Sequence, residues 1–172
     1  MNFLAHIYLS GDSELVRIGN FMADGIRGND YLNFPEEVKK GILLHRQIDT
    51  FTDAHPIYRK SKHRLHDKYG HYSGVIMDIL YDYFLAKNWK NYSEEPLEDY
   101  VADFYQSLES NYDILSEKTK KILPYMIDQN WLVSYATIVG IELQEFHVEF
   151  EAEFTSFFQE LRLFTASLLK TL

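Results

Sequence analysis

Three prolines, each at the head of an apolar-periodic run, constrain this chain more than any other feature. In "FPEEVKKGILLHRQIDTFTD" Pro35 stands at a first helical position with Glu36 and Glu37 behind it. Proline sacrifices no helical hydrogen bond there, and the acids oppose the positive end of the helix. "EPLEDYVADFYQSLESNY" repeats that opening at Pro96, and "HPIYRKSKHRLHDKYG" starts a short basic helix at Pro56 that stops at Gly70. Upstream, "SGDSELVRIGNFMADGIRGN" offers Ser10, Asp12 or Ser13 as caps, then Leu15, Ile18, Met22 and Ile26 at spacings of three and four. "SGVIMDILYDYFLAKNW" is apolar on most sides and predicts the central buried helix. "SEKTKKILPYMIDQNWLVSY" carries Pro124 inside an apolar pattern, which predicts a kink or short break. The stretch from Glu142 predicts a long acidic amphipathic helix, with Phe146, Phe150, Phe154, Phe157 and Phe158 as a core-facing stripe. No alternating run bounded by turn residues predicts a sheet, and there is no repeat or low-complexity linker. The expectation is an all-α, single-domain compact helical bundle spanning residues 1–172.

Composition narrows the chemistry. With 46% hydrophobic and 25% charged residues the chain is in the globular range. Cysteine is absent, which excludes a disulfide framework, a thiolate metal site and a cysteine nucleophile. A metal would have to be held by histidine nitrogen and carboxylate oxygen, a set that suits manganese, iron or zinc. The net charge of −9 argues against non-specific nucleic-acid binding. That charge is uneven: up to His71 there are 10 basic and 9 acidic side chains, and beyond it 7 and 17. An anionic ligand therefore belongs with the first part. The N-terminus lacks the pattern of a signal peptide, and no run approaches the roughly 18–20 apolar residues of a membrane helix. A cytoplasmic protein, with neither membrane nor nucleic-acid partners, is expected.

The chemistry concentrates in "GILLHRQIDTFTDAHP", residues 41–56. His45 and Asp49 are four apart and so share one helix face. Asp78 and Asp82 repeat that spacing in the most hydrophobic helix, where a carboxylate needs a partner or a metal. Asp24 sits toward a helix end, where an acid is unfavourable, and His6 lies among apolar neighbours. Each has a plainer reading. His6 alone fits a hydrogen-bonded structural histidine, Asp49 or Asp82 a partner of Arg46 or a tyrosine, and Arg27 and Arg46 ordinary ion pairs. Asp53 and His55 fit a helix end, and His63, His66 and His71 a basic surface. Spacing alone leaves a metal site and a set of satisfied polar residues both open. There is no glycine-rich phosphate loop, no Gly-x-Ser-x-Gly elbow and no Glu-x-x-His motif.

Taken together, "MNFLAHIYLS", "GNFMADGIRG", "GILLHRQIDTFTDAHP", "MDILYDYFLAKNW" and "QNWLVSY", in this order, resemble the acyl-carrier-protein phosphodiesterases. These are a divergent branch of the helical HD phosphohydrolases, so the resemblance implies an HD-like bundle. It covers the chain through about Ile141. It implies hydrolysis of the phosphodiester joining 4′-phosphopantetheine to a serine of holo-acyl carrier protein, with manganese as the divalent ion. Carried over by position, it implies Asp24, His45, Asp49 and Asp78 as metal ligands. Asp82 would be a supporting or alternative ligand, and His6 a further ligand or an acid to the leaving serine oxygen. Arg27 and Arg46 would stabilise phosphate charge. The chain departs from the family after "IVGIE", where a longer arginine-containing stretch is expected and Glu142 runs directly into "LQEFHVEF".

Carrier proteins are acidic, so the docking surface should be basic. "YRKSKHRLHDKYGH" supplies Arg59, Lys60, Lys62, Arg64 and Lys68, although an ordinary solvated helix reads the same way. Two other functions fit the residues: a metal-dependent hydrolase of a small phosphoester or nucleotide, and a non-catalytic module that binds carrier protein.

Overall fold

The structure is a computed structural model that describes residues 2–137 and 147–172. It is all-α, with no strand among the described residues. The α-helices in chain order are α1 (Phe3–Tyr8), α2 (Glu14–Met22), α3 (Glu36–Ala54), α4 (Pro56–Tyr69) and α5 (Ser73–Lys87). They continue with α6 (Leu97–Ser110), α7 (Glu117–Asp128), α8 (Trp131–Ser134) and α9 (His147–Leu168), short 3-10 turns joining several of them. Among the described residues no helix is long and apolar enough to cross a membrane.

The proline signals hold. Pro35 and Pro96 immediately precede α3 and α6, Pro56 is the first residue of α4, and acids fill the first turns of α3 and α6. Of the three caps open at the start of α2, Ser13 is the one used, its side chain accepting from the Val16 amide. Gly70 ends α4 with φ +52°, a backbone conformation that L side chains rarely adopt. Pro124 does not break α7, which runs through it from Glu117 to Asp128. The proline lies on the exposed face, where water can take the carbonyl that its missing N–H leaves.

The second half of α5, from Leu80 to Ala86, is buried throughout, as its all-round apolarity predicts. Phe150, Phe154, Phe157, Phe158 and Leu161 of α9 are fully buried. Their rings close on Tyr81 of α5 and Phe51 of α3. Phe146, expected in this stripe, lies outside the described residues, as does the segment after "IVGIE".

The closest approach in the bundle is between α2 and α3. A Cβ built on Gly19 would lie 2.2 Å from the Val38 carbonyl oxygen, and one on Gly41 would lie 2.2 Å from that of Val16. Neither can be relieved by a side-chain rotation, because backbone is the obstacle. Gly41→Ala should therefore destabilise by at least the roughly 1–3 kcal/mol typical of overpacking. Denaturant melts of the two proteins check this, with an unchanged midpoint counting against the close crossing.

Candidate metal centre

The α2–α3 crossing puts Asn20 directly against His45. His45 Nδ1 lies 2.8 Å from the Asn20 carbonyl oxygen and 3.2 Å from its Oδ1. His6, on α1, places Nδ1 2.8 Å from the same Oδ1. The Asn20 amide nitrogen donates to the His6 carbonyl (2.9 Å) and to Ser10 Oγ (2.8 Å). With its NH2 so committed, the side chain presents oxygen to both rings. Each imidazole then carries its proton on Nδ1, and Nε2 faces away from Asn20. The rings stack with centroids 3.9 Å apart and planes 15° from parallel.

Carboxylates meet the two Nε2 atoms. Asp49 Oδ2 is 3.1 Å from His45 Nε2, and Asp49 Oδ1 is 3.3 Å from His6 Nε2. Asp24, in the 3-10 turn after α2, places Oδ1 3.2 Å from His45 Nε2. Ligand atoms of His6, His45 and Asp49 all lie within 4.8 Å of one another, close enough to share one ion. His6 Nε2 is buried and, despite its nearness to Asp49, makes no hydrogen bond. An orphaned, lone-pair-bearing nitrogen beside a carboxylate fits a metal better than it fits a packed core.

The electrostatics divide the two histidines. Burial, with the neighbouring His45 adding to it, lowers His6 to about 4, so its ring is neutral. Burial opposes charge on His45 as well, but hydrogen bonds to Asp24 and Asp49 outweigh it and raise His45 to about 9. Asp49 is driven well below the usual carboxylate range because its hydrogen bond from the protonated His45 overcomes its burial. The His45 hydrogen bond lowers Asp24 in the same sense. Near neutral pH His45 therefore carries a second proton, held between Asp24 and Asp49.

The centre opens on a cavity of about 310 Å3 lined by Asn2, Asp24, Asp49, Thr52, Asp53, Tyr58, Val75, Asp78 and Ile79. Asp78 thus reaches the cavity that Asp24 and Asp49 line, and it accepts a 2.8 Å hydrogen bond from the Tyr58 hydroxyl. It is not in the His45 contact set. Asp53 also lines the cavity, whereas His55 ends its helix, accepting from the Ile57 amide and facing Glu160.

Asp82 is fully buried behind the site and does not line the cavity. It accepts from the backbone amides of Leu4 (2.7 Å) and Ala5 (3.4 Å), holding the first turn of the helix that carries His6. Arg46 donates to the Gly28 carbonyl at 2.8 Å and lies over the Tyr31 ring, and Arg27 is exposed. Neither arginine lines the cavity. The basic helix is divided: Arg64 forms two 2.8 Å bonds with Glu153 of α9, and Lys60 meets the same carboxylate at 2.9 Å. Lys68 and Lys62 lie over the Tyr69 and Tyr58 rings, and neither Arg59 nor Lys62 has an ion pair among the described residues.

Sequence reasoning passed over Asn20. The signal was present: an asparagine in the apolar face of α2, beside Ile18, Phe21 and Met22, needs polar partners in the core. Gly19 and Gly41, which let it reach His45, look like ordinary helix glycines until the crossing is seen.

A buried histidine pair beside carboxylates that line an acidic cavity makes this a helical protein with a set of nitrogen and oxygen groups that could hold a metal ion. The model of the family described as acyl carrier protein phosphodiesterase matches residues 1–144, and the chain belongs to that family. Curated relatives bearing the name acyl carrier protein phosphodiesterase include those of Photorhabdus laumondii and Pectobacterium atrosepticum. The first is 32% identical over 142 residues, covering 82% of this chain and 72% of the relative. The second is 30% identical over 139 residues, covering 80% and 72%. A third, from Escherichia coli, is 32% identical over 139 residues, covering 78% and 70%. No solved structure matches.

Asp82 supplies a pH prediction. Burial raises its carboxyl to about 7, against the Leu4 and Ala5 amides that favour the anion, with Asp78 adding to the rise. The N-terminal amine favours the anion too, and Tyr135 is a further titratable group interacting with Asp82. A carboxyl raised on folding stabilises most below its ordinary value of 3.8 and loses that contribution as pH climbs through 7. Asp82→Asn should therefore gain stability relative to the parent as pH rises from 4 to 7.5. Paired melts across that range test it, and a constant difference would contradict the buried titration.

Proposed function

We propose that the protein is a metal-dependent phosphodiesterase that releases 4′-phosphopantetheine from the serine of holo-acyl carrier protein, leaving the apo form. The observation that carries this reading is the pinning of both His6 and His45 through Nδ1 to Asn20, which leaves two Nε2 atoms beside Asp49. Support for the substrate comes from the family and from the names of the relatives. We treat residues 1–172 as one cytoplasmic catalytic domain of HD-like type.

His6, His45 and Asp49 would hold the ion with Asp24 beside them, and the mixed nitrogen and oxygen set suits manganese. When bound, the ion supplies charge neutralisation at phosphate and activation of water for in-line attack. His6 is a ligand in this account rather than the acid to the serine oxygen. Its ring is neutral above about pH 4 and its one proton is given to Asn20. His45 would bind in its neutral form, its Nε2 proton passing to solvent, and Asp24 and Asp49, which pair with that proton here, would be available as oxygen ligands. Asp78, fixed by Tyr58, and Asp53 are the cavity carboxylates left to orient water and accept its proton. Asp82 and Asn20 position α1 and both rings. Arg46 holds the loop that follows Asp24, through the Ile26 and Gly28 carbonyls.

The direct test is intact-mass analysis of holo-carrier protein incubated with the enzyme and manganese. Loss of the phosphopantetheine mass is expected, and its persistence with metal-loaded protein would overturn the reading. Asp49→Asn should reduce turnover by more than about 100-fold, a ligand being at least as important as the partners behind it. The parent should melt higher when manganese is added, and Asp49→Asn should not. Equal metal-induced shifts in the two proteins would remove Asp49 from the ligand set.

A further inference from the structure

The rim of the cavity carries features that the hydrolytic centre does not use. Val75 lines the cavity and is 57% exposed, and Tyr72, just before α5, is 73% exposed. These are among the most exposed large apolar side chains of the described residues. Gly74 lies between them in sequence, and Lys62 of α4 lies against it, its Cε and Nζ each 3.5 Å from the position a Cβ there would take. The Gly74 carbonyl and the Asp78 carboxylate are both within reach of the Tyr58 hydroxyl, at 3.5 and 2.8 Å. Val75 thus lines the cavity that Asp78 and Asp49 line, Lys62 packs against the residue before it, and Tyr72 lies one helical turn before Val75.

Charge separates the two sides of α4. Lys60 and Arg64, one turn apart, are spent on Glu153 and tie α4 to α9. Lys62, and Arg59 one turn before it, have no carboxylate among the described residues. Lys62, its amine 6.0 Å from the Tyr58 ring centroid and unpaired with any carboxylate among the described residues, next to a segment that exposes Tyr72 and Val75, has the composition of an interface anchor with a charged edge.

We propose that Lys62, Tyr72 and Val75, with Arg59 at the edge, form the docking rim for an acidic protein whose covalently attached phosphodiester enters the cavity. This rests on the reading of the substrate as acyl carrier protein. The geometry follows from the substrate being a protein: when its attached group fills the cavity, the surface around the attachment point must lie on the mouth. That surface meets a lysine and two apolar side chains, so an acidic helix with an apolar residue beside the modified serine fits it. Arg64 and Lys60 are structural, so the docking contribution of the basic helix is confined to one face.

The test uses the full-length, manganese-loaded protein and three variants: Lys62→Glu, Tyr72→Ser and, as a charge-matched control away from the rim, Lys121→Glu. Affinity for apo-carrier protein is measured by surface-immobilised binding at several salt concentrations. KM and kcat are measured on holo-carrier protein and on bis(p-nitrophenyl) phosphate. Lys62→Glu should weaken apo-carrier binding and raise KM for holo-carrier protein by about 10-fold or more, with a shallower salt dependence. Tyr72→Ser should weaken both without changing the salt slope. Cleavage of the small diester should stay within about twofold in each variant. Equal affinity in parent and Lys62→Glu would overturn the rim. So would equal losses in Lys121→Glu, or a concentration-dependent dimer that Tyr72→Ser abolishes, which would give the patch to a second copy of the chain. If the parent binds apo-carrier protein through the rim but releases no phosphopantetheine, the hydrolytic reading fails and the docking surface stands.

Discussion

The backbone contact between α2 and α3 at Gly19 and Gly41 sets the distances on which the histidine–carboxylate cluster depends. Asn20 follows Gly19 directly, and His45 is one helical turn beyond Gly41. Because these helices touch through glycine, a backbone carbonyl of α2 comes within 2.8 Å of an imidazole on α3. A methyl group at either glycine would push α2 away from α3 and lengthen the His45–Asn20 bond first. The centre is thus an outcome of close packing before it is an outcome of ligand identity.

From that contact the remaining polar order spreads outward. Asn20 uses its amide on the His6 carbonyl and Ser10, so α1 is registered against α2 by the same side chain that orients the rings. Asp82 holds the opposite end of α1 from within the most apolar helix, taking the Leu4 and Ala5 amides that a six-residue helix cannot satisfy by itself. Two buried polar side chains, each with its hydrogen bonds met, fix a short helix that has little stability of its own. The price is a buried carboxyl poised near neutrality. On the far side of the cavity Tyr58 and Asp78 form a separate pair, so the acidic mouth is built from α3 and α5 with α4 closing it.

Much of this was legible in the sequence. Helix starts at Pro35, Pro56 and Pro96 and the stop at Gly70 follow from local chemistry, because each concerns groups within a few residues. His45 and Asp49 were identifiable as a pair because helical spacing puts them on one face, and Asp24 was conspicuous at an unfavourable helix end. What could not be read locally was which partner each polar residue finds across the bundle. Arg46 and Arg64 are alike as isolated residues, yet one holds a loop and the other a facing helix. Asp82 shares its spacing with Asp78 and differs only in pointing inward to backbone amides. Asn20 looked inert because its importance lies in four contacts, none of them to a neighbour in sequence.

The central claim is that Asn20 fixes both imidazoles with their protons on Nδ1, leaving two Nε2 atoms for a cation. Two-bond proton–nitrogen NMR correlations of the histidine rings, with and without zinc as a diamagnetic ion, measure this directly. The account predicts His6 as a neutral Nδ1–H ring at pH 7 and His45 as an imidazolium that loses its Nε2 proton when zinc is added. Both Nε2 resonances should move on binding. An Nε2–H form of His6, or a His45 that stays doubly protonated in saturating zinc, would contradict it.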